Sequence, residues 1–223
     1  SGACRRACRA ATDPEAAAGN AAQLPPTPRP AEKGNAFCMT APTCRQVQTG
    51  DRATAATHAT MPVVVVLDNL RSAFNVGNIL RLADTTRAER VVTCGYTATP
   101  PHPKLAKTAR GCDRHVNVEH AVSSEAAVTA LRAEGYRVYA VETTPPARFV
   151  RESAITFPAA FVFGNEALGI SEGALQLCDE AVCLPCLGHK NSVNVANCAA
   201  VVLYEALFQS RIASEIGSPR TPQ

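Results

Sequence analysis

Residues 161–208 read FVFGNEALGISEGALQLCDEAVCLPCLGHKNSVNVANCAAVVLYEALF. The stretch parses as a buried strand, a Gly-bounded loop, a short helix, a second strand, another Gly-containing loop and a long apolar helix. Both loops leave the end of a strand, where an open α/β sheet places its ligands. Each carries polar residues that a plain connection would not need: Asn165 and Glu166 in the first, Asn191, Ser192 and Asn194 at the end of the second. Taken alone, the stretch supports a ligand site near Glu166 and Ser192.

Upstream, the alternation continues. VVVVLD (63–68) is an unbroken β-branched run, as expected for a strand covered on both faces of a parallel sheet. NVGNILRLADTTR (75–87) places Val76, Ile79, Leu80 and Ala83 at helical spacing, with Asn75 as its candidate N-cap. RVVTCG (90–95), YRVYAVE (136–142) and AAFVFG (159–164) read as further strands. SSEAAVTALRAEG (123–135) reads as a helix that opens on Ser and closes on Gly. The expected fold class is α/β, a mostly parallel sheet with helices on both faces, spanning 62–210 and followed by a short tail, 211–223.

Composition bounds the function. Hydrophobic residues make up 46% of 223, enough for a real core, and no run approaches the ~18–20 apolar residues of a membrane span. No membrane role is expected. Residues 1–61 hold seven basic and four acidic residues, so the whole net charge of +3 lies there and the remaining 15 bases and 15 acids balance. Any binding of nucleic acid by the main domain must therefore use a local basic patch. Of the ten cysteines, Cys94, Cys178, Cys183 and Cys198 fall in apparent strands and helices, where Cys serves as a small apolar residue, and a reducing compartment is expected. Cys183 and Cys186 form a C-x-x-C, but without a second pair no metal site is expected.

Residues 1–61 contain six prolines and only five large apolar residues (Leu24, Phe37, Met39, Val47 and Met61), too few to offset the entropy of ordering. This Pro/Ala/Arg-rich extension is expected to be disordered alone and to gain order on a partner, for which a ribosomal assembly intermediate is the expectation. Its start, SGACRRACRAA, is similar to an organellar transit peptide. That reading implies a mitochondrial or other organellar location in a eukaryote and a cytoplasmic one otherwise; a compositionally biased linker remains the alternative. In the domain, PKLAKTARGCDRH places Lys104, Lys107, Arg110 and Arg114 at three- and four-residue intervals, one face if helical. The strip reads either as a solvated face or, with Arg71, as the phosphate-contacting surface.

Three segments stand out together: N-x-G-x-x-x-R at 75–81, F-G-N-E-x-x-G at 163–169, and L-P-x-x-G-x-x-x-S-x-N-V at 184–195. In this order and spacing they resemble the three motifs of the SPOUT superfamily, specifically its SpoU (TrmH-like) branch of RNA ribose methyltransferases. LDNLRSAFNVGNILRLAD and CGYTATPPHPK extend the resemblance. It implies a C-terminal trefoil knot, S-adenosylmethionine as methyl donor, and a homodimer or a heterodimer with a related subunit. The implied substrate is a ribose 2′-hydroxyl of rRNA or tRNA.

Carried over by position, the cofactor pocket falls on Gly164, Leu184, Gly188 and Val193, and the catalytic positions on Asn75, Arg81, Glu166, Ser192 and Asn194. Singly, each has an ordinary structural role: Asn75 and Ser192 as helix caps, Glu166 in a turn, Arg81 paired with Asp84. Jointly, on the three-motif frame, the functional reading is preferred. An arginine with a pKa above ~12 is a poor base near neutrality. Arg81 is therefore expected to clamp RNA phosphate and Asn75 to orient the hydroxyl, while Glu166 either accepts a proton or holds Arg81. Departures from the family pattern are Pro-Cys-Leu-Gly at 185–188 and SVNVAN at 192–197. The competing function is a non-catalytic RNA-binding assembly factor that keeps the fold as a scaffold. A nucleotide-dependent dehydrogenase is disfavoured, because no G-x-G-x-x-G follows the first strand.

Overall fold

The computed structural model describes residues 59–210, so the expectations for 1–58 and for 211–223 lie outside the described residues. Seven strands form one sheet: β1 Met61–Asp68, β2 Ala88–Cys94, β3 Val118–Ala121, β4 Arg137–Val141, β5 Arg148–Phe149, β6 Ala159–Phe163 and β7 Glu180–Cys183. Their order is β3-β2-β1-β6-β4-β7-β5, and every pairing is parallel. Among the described residues, five α-helices accompany them, four between strands and one after the last: α1 Ala73–Thr86, α2 Pro103–Thr108, α3 Ser124–Ala133, α4 Glu172–Leu177 and α5 Val195–Gln209. The two late strands β6 and β7 insert between earlier neighbours, an arrangement consistent with the knotted C-terminus that the resemblance implies.

The valine run of β1 explains the two-faced core. Val63, Val65 and Leu67 point to one side, where they meet Val76, Ile79, Leu80 and Ala83 of α1 and Ala199, Val202, Leu203 and Ala206 of α5. Val64 and Val66 point to the other, against Ala127, Val128 and Leu131 of α3 and Ala174 of α4. Each fully buried Val or Leu contributes roughly 1.5–3 kcal/mol, whereas an exposed ion pair such as Arg151–Glu205 contributes at most ~1 kcal/mol. Apolar burial, not surface charge, holds this fold. Met61, counted from sequence with the extension, opens β1 and is completely buried, so the domain begins at least one residue earlier than expected.

Two local expectations are corrected. Asn75 does not cap α1: Ser72, with extended backbone, accepts the Asn75 N–H on its hydroxyl and leaves the Asn75 side chain free for other work. The basic strip is not one helical face. α2 ends at Thr108, Arg110 and Gly111 adopt left-handed backbone (φ 54° and 91°), and a separate 3-10 turn carries Cys112–Arg114. Lys104, Lys107, Arg110, Arg114 and Arg71 are all exposed, but the reversal at 110–111 divides the cations between two elements. β3 and β5 were not anticipated; at four and two residues they carry no readable period.

Candidate active site

The loops after β6 and β7 and the start of α1 come together at the C-terminal edge of the sheet. The first loop is closed by its own bonds. Asn165 and Gly169 exchange both backbone hydrogen bonds at 2.9 Å, and the Asn165 side-chain oxygen accepts the N–H groups of Ala167 and Leu168. A Cβ on Gly164 would lie 2.2 Å from Gly169 C and 2.3 Å from Ile170 N, so only glycine permits this closure. Gly164 thus serves the loop's internal packing.

That closure presents Glu166 to the first turn of α1. Its carboxylate accepts the Arg71 N–H at 2.9 Å, the Ser72 N–H at 3.1 Å and the Asn75 side-chain amide at 2.9 Å. Asn75 in turn accepts the Asn194 amide on Oδ1 at 3.2 Å. Asn194 is the N-cap of α5, its Oδ1 taking the Ala196 and Asn197 N–H groups at 3.0 and 3.3 Å. One polar chain, Glu166–Asn75–Asn194, therefore joins the three motifs and ties the starts of α1 and α5. Gly77 allows α2 to lie against this helix, since a Cβ there would sit 2.0 Å from Thr108 Oγ1.

The electrostatics assign Glu166 a role. Partial burial pushes its pKa up, but the hydrogen bonds from Arg71, Asn75, its own backbone and Ser72 outweigh that and hold it below the usual carboxylate range. A carboxylate so stabilised is ionised at neutral pH and is a weak proton acceptor. Glu166 bonds to Asn75 and to the backbone ahead of α1, and forms no ion pair with Arg81 among the described residues, a geometry that favours bracing over proton transfer. Arg81 lies six residues on, about 9 Å of helical rise from Asn75. It is exposed and forms no ion pair with Asp84 among the described residues. Its charge bears on the Cys112 thiol, beside the turn that carries Arg114. No hydrogen bond joins the Arg81 side chain to the polar chain among the described residues.

Next to the chain lies a narrow cleft of about 90 Å³, lined by Val141, Glu142, Thr143, Cys183, Leu184, Cys186, Ser192, Val193 and Cys198. Of the positions expected to bind cofactor, Leu184 and Val193 line this cleft, beside Ser192 from the expected catalytic set, and Cys183, Cys186 and Cys198 form much of the remaining wall. Burial pushes the Cys198 thiol up to about 11, so it is a neutral, soft wall atom. Gly164 and Gly188 do not line the cleft. Apolar and thiol walls suit an adenine ring, and Glu142, Thr143 and Ser192 supply the few polar groups that a nucleoside needs. The residues fit S-adenosylmethionine in kind, although the space is below the ~300 Å³ of a typical ligand pocket. The loop 184–192 bounds the cleft and is almost bare of hydrogen bonds among the described residues; Leu187 is 97% exposed.

A second, open groove of about 620 Å³ borders the other side of the α1 start, with Arg71, Phe74, Tyr96, Thr99, His102 and Lys104 among its walls. Sequence reading named two of its cations but missed its aromatics. The available signal was a large ring in each of two polar stretches, AFN at the start of α1 and GYT after β2.

A parallel α/β domain whose late loops and first helix meet at one polar chain is a SPOUT-type domain. The SpoU rRNA Methylase family model matches residues 62–204, and the chain belongs to that family. It is similar to the tRNA (guanosine(18)-2′-O)-methyltransferase of Thermus thermophilus, 34% identical over 158 residues, 71% of this chain and 80% of that protein. A TrmH-family protein of Staphylococcus haemolyticus is 30% identical over 145 residues; the match covers 65% of this chain and 58% of that relative's length. Among solved structures, the SpoU methyltransferase AviRb of Streptomyces viridochromogenes superposes with a TM-score of 0.62 at 29% identity, covering 71% of this chain and 63% of that one. The same enzyme in complex with AdoMet superposes with a TM-score of 0.60 at 30% identity, covering 66% and 57%.

Proposed function

We propose that this chain is an S-adenosylmethionine-dependent RNA methyltransferase that modifies a ribose 2′-hydroxyl of rRNA or tRNA. The observation that carries the reading is the Glu166–Asn75–Asn194 chain, which brings residues up to 119 positions apart to one point beside the cleft. The AdoMet complex of AviRb and the 2′-O-methyltransferase of Thermus support the cofactor and the acceptor.

S-adenosylmethionine, when bound, supplies a methyl group on a sulfonium, an electrophile for an oxygen nucleophile. Leu184, Val193 and the three cleft cysteines would face its adenosine, with Ser192 at the rim. Asn75, locked by Glu166 on one side and Asn194 on the other, is pre-positioned to orient a hydroxyl without reorganising. Arg81, exposed on α1, would neutralise RNA phosphate at the edge of the site. The exposed residues Val201, Tyr204 and Phe208 fall on one face of α5, are 49%, 36% and 67% accessible, and would bury themselves against a second copy of the chain. Sedimentation at micromolar concentration should show a dimer that Phe208→Asp dissociates. A monomeric wild type would contradict this.

One observation favours the scaffold reading, a non-catalytic RNA-binding protein: the cleft is narrow. Calorimetric titration with S-adenosylmethionine decides between the two. Stoichiometric binding, with the bare loop 184–192 opening to admit it, supports the enzyme; absence of binding supports the scaffold.

A further inference from the structure

The 620 Å³ groove shares no residue with the cofactor cleft and has the volume of a nucleotide site, not of a surface dimple. Phe74, in the first turn of α1, and Tyr96, in the loop after β2, line it, and each is 62% exposed. Large rings left in water need a reason. Tyr96 is also fixed in place: its hydroxyl accepts the Asn165 side-chain amide at 2.7 Å, and its backbone N–H donates to Asn69 Oδ1 at 3.3 Å. Asn165 belongs to the loop that carries Glu166, and Phe74 directly precedes Asn75. The rings are therefore rigidly referenced to the polar chain. Arg71 and Lys104 add two exposed cations to the same walls.

We propose that this groove receives one unpaired nucleotide of the RNA, its base stacked on Phe74 and Tyr96 and its phosphate paired with Arg71 and Lys104. The assignment rests on the RNA methyltransferase reading above, and it names the form of substrate that reading requires. Stacking on aromatic rings recognises bases that have left a helix, and it tolerates any base identity. A duplex would not offer a free base face. The groove therefore selects for loops, bulges or single strands, and places the nucleotide next to Asn75 for modification or immediately beside the modified one.

The test uses the full chain and a fluorescein-labelled, mixed-sequence single-stranded RNA of about 12 nucleotides, a length within single-strand site sizes. The same sequence as a duplex serves as comparison. Phe74→Ala and Tyr96→Ala should each weaken single-strand binding about tenfold, as loss of one stacked base does. Tyr96→Phe, which keeps the ring, should stay within about threefold. Affinity for S-adenosylmethionine, followed by calorimetry, should not change in any of the three. Unchanged RNA affinity in both alanine variants, equal affinity for the duplex, or loss of cofactor affinity along with the rings would overturn the proposal. So would a wild type that binds no RNA. A wild type that binds RNA through these rings but takes up no S-adenosylmethionine would uphold the groove and overturn the methyltransferase reading instead.

Discussion

The two loops that build the site are opposites. The loop after β6 is saturated: Asn165 uses its backbone and both side-chain ends, Glu166 satisfies two backbone donors of the α1 start, and Glu142 accepts the Ile170 N–H at 3.2 Å from behind. The loop after β7 has almost no bonds of its own until Asn194 caps α5, and a Cβ added at Gly188 would meet nothing within 4 Å. The first loop is a fixed instrument that sets Asn75. The second has slack to close over a ligand or a partner subunit. In the proposed function, positioning falls to the first segment and capture to the second, in line with their opposite hydrogen-bond densities among the described residues.

Substitutions that probe this contrast should differ in kind. The largest effect is expected at Gly164→Ala, where backbone atoms on the far side cannot give way. It should destabilise the fold by about 3 kcal/mol in chemical denaturation and abolish activity with it. Full stability would mean the loop is not closed as described. Glu166→Gln should leave stability nearly intact but slow methyl transfer by about 100-fold, because one accepting oxygen becomes a donor facing N–H groups and Asn75 is released. KM for RNA should move far less than kcat.

pH sharpens the same point. The folded pKa of Glu166 is lowered, so its bracing is fully present above the unfolded value of ~4.3 and is lost only as pH falls through the lower folded value. The hydrogen-bonded chain should therefore survive at neutral pH and down to about that range. Amide exchange at Arg71 and Ser72 should accelerate only below it, and Glu166→Gln should remove the dependence. An acceleration near neutrality would mean that the carboxylate is not held as described.

The smallest effect belongs to the bare loop. Gly188→Ala should change stability by less than about 0.5 kcal/mol, since the added methyl meets open space. If its affinity for S-adenosylmethionine nevertheless drops, Gly188 lies against the cofactor once the loop closes. If neither quantity moves, the position assigned from the resemblance is only a spacer.

The sheet and its main helices were legible because their physics is local. The β1 valines, the 76-79-80-83 spacing of α1 and the Ser and Gly ends of α3 each declare an element within a dozen residues. The parallel class followed from the alternation. The site was legible only through the three-motif resemblance, since no local rule brings Glu166 and Asn194 to Asn75. What stayed hidden was long-range geometry. Glu166 reaches across 91 residues to Asn75, and Asn194 across 119; some local choices were hidden as well, since Ser72 took the cap expected of Asn75 and the left-handed pair Arg110–Gly111 broke the basic strip. The aromatic groove was hidden because isolated rings in polar stretches are common, and only their place along one groove, 22 residues apart in sequence, makes a surface.

The central claim, methyl transfer to a ribose hydroxyl, is tested most directly by locating the methyl group. Incubation of the protein with methyl-tritiated S-adenosylmethionine and unmodified tRNA and rRNA transcripts, followed by alkaline hydrolysis, separates the alternatives. A 2′-O-methyl blocks cleavage of the adjacent phosphodiester, so the account predicts label in alkali-resistant dinucleotides, and its loss in Asn75→Ala. Label in mononucleotides, which would place the methyl on a base, or no transfer to any transcript, would contradict it.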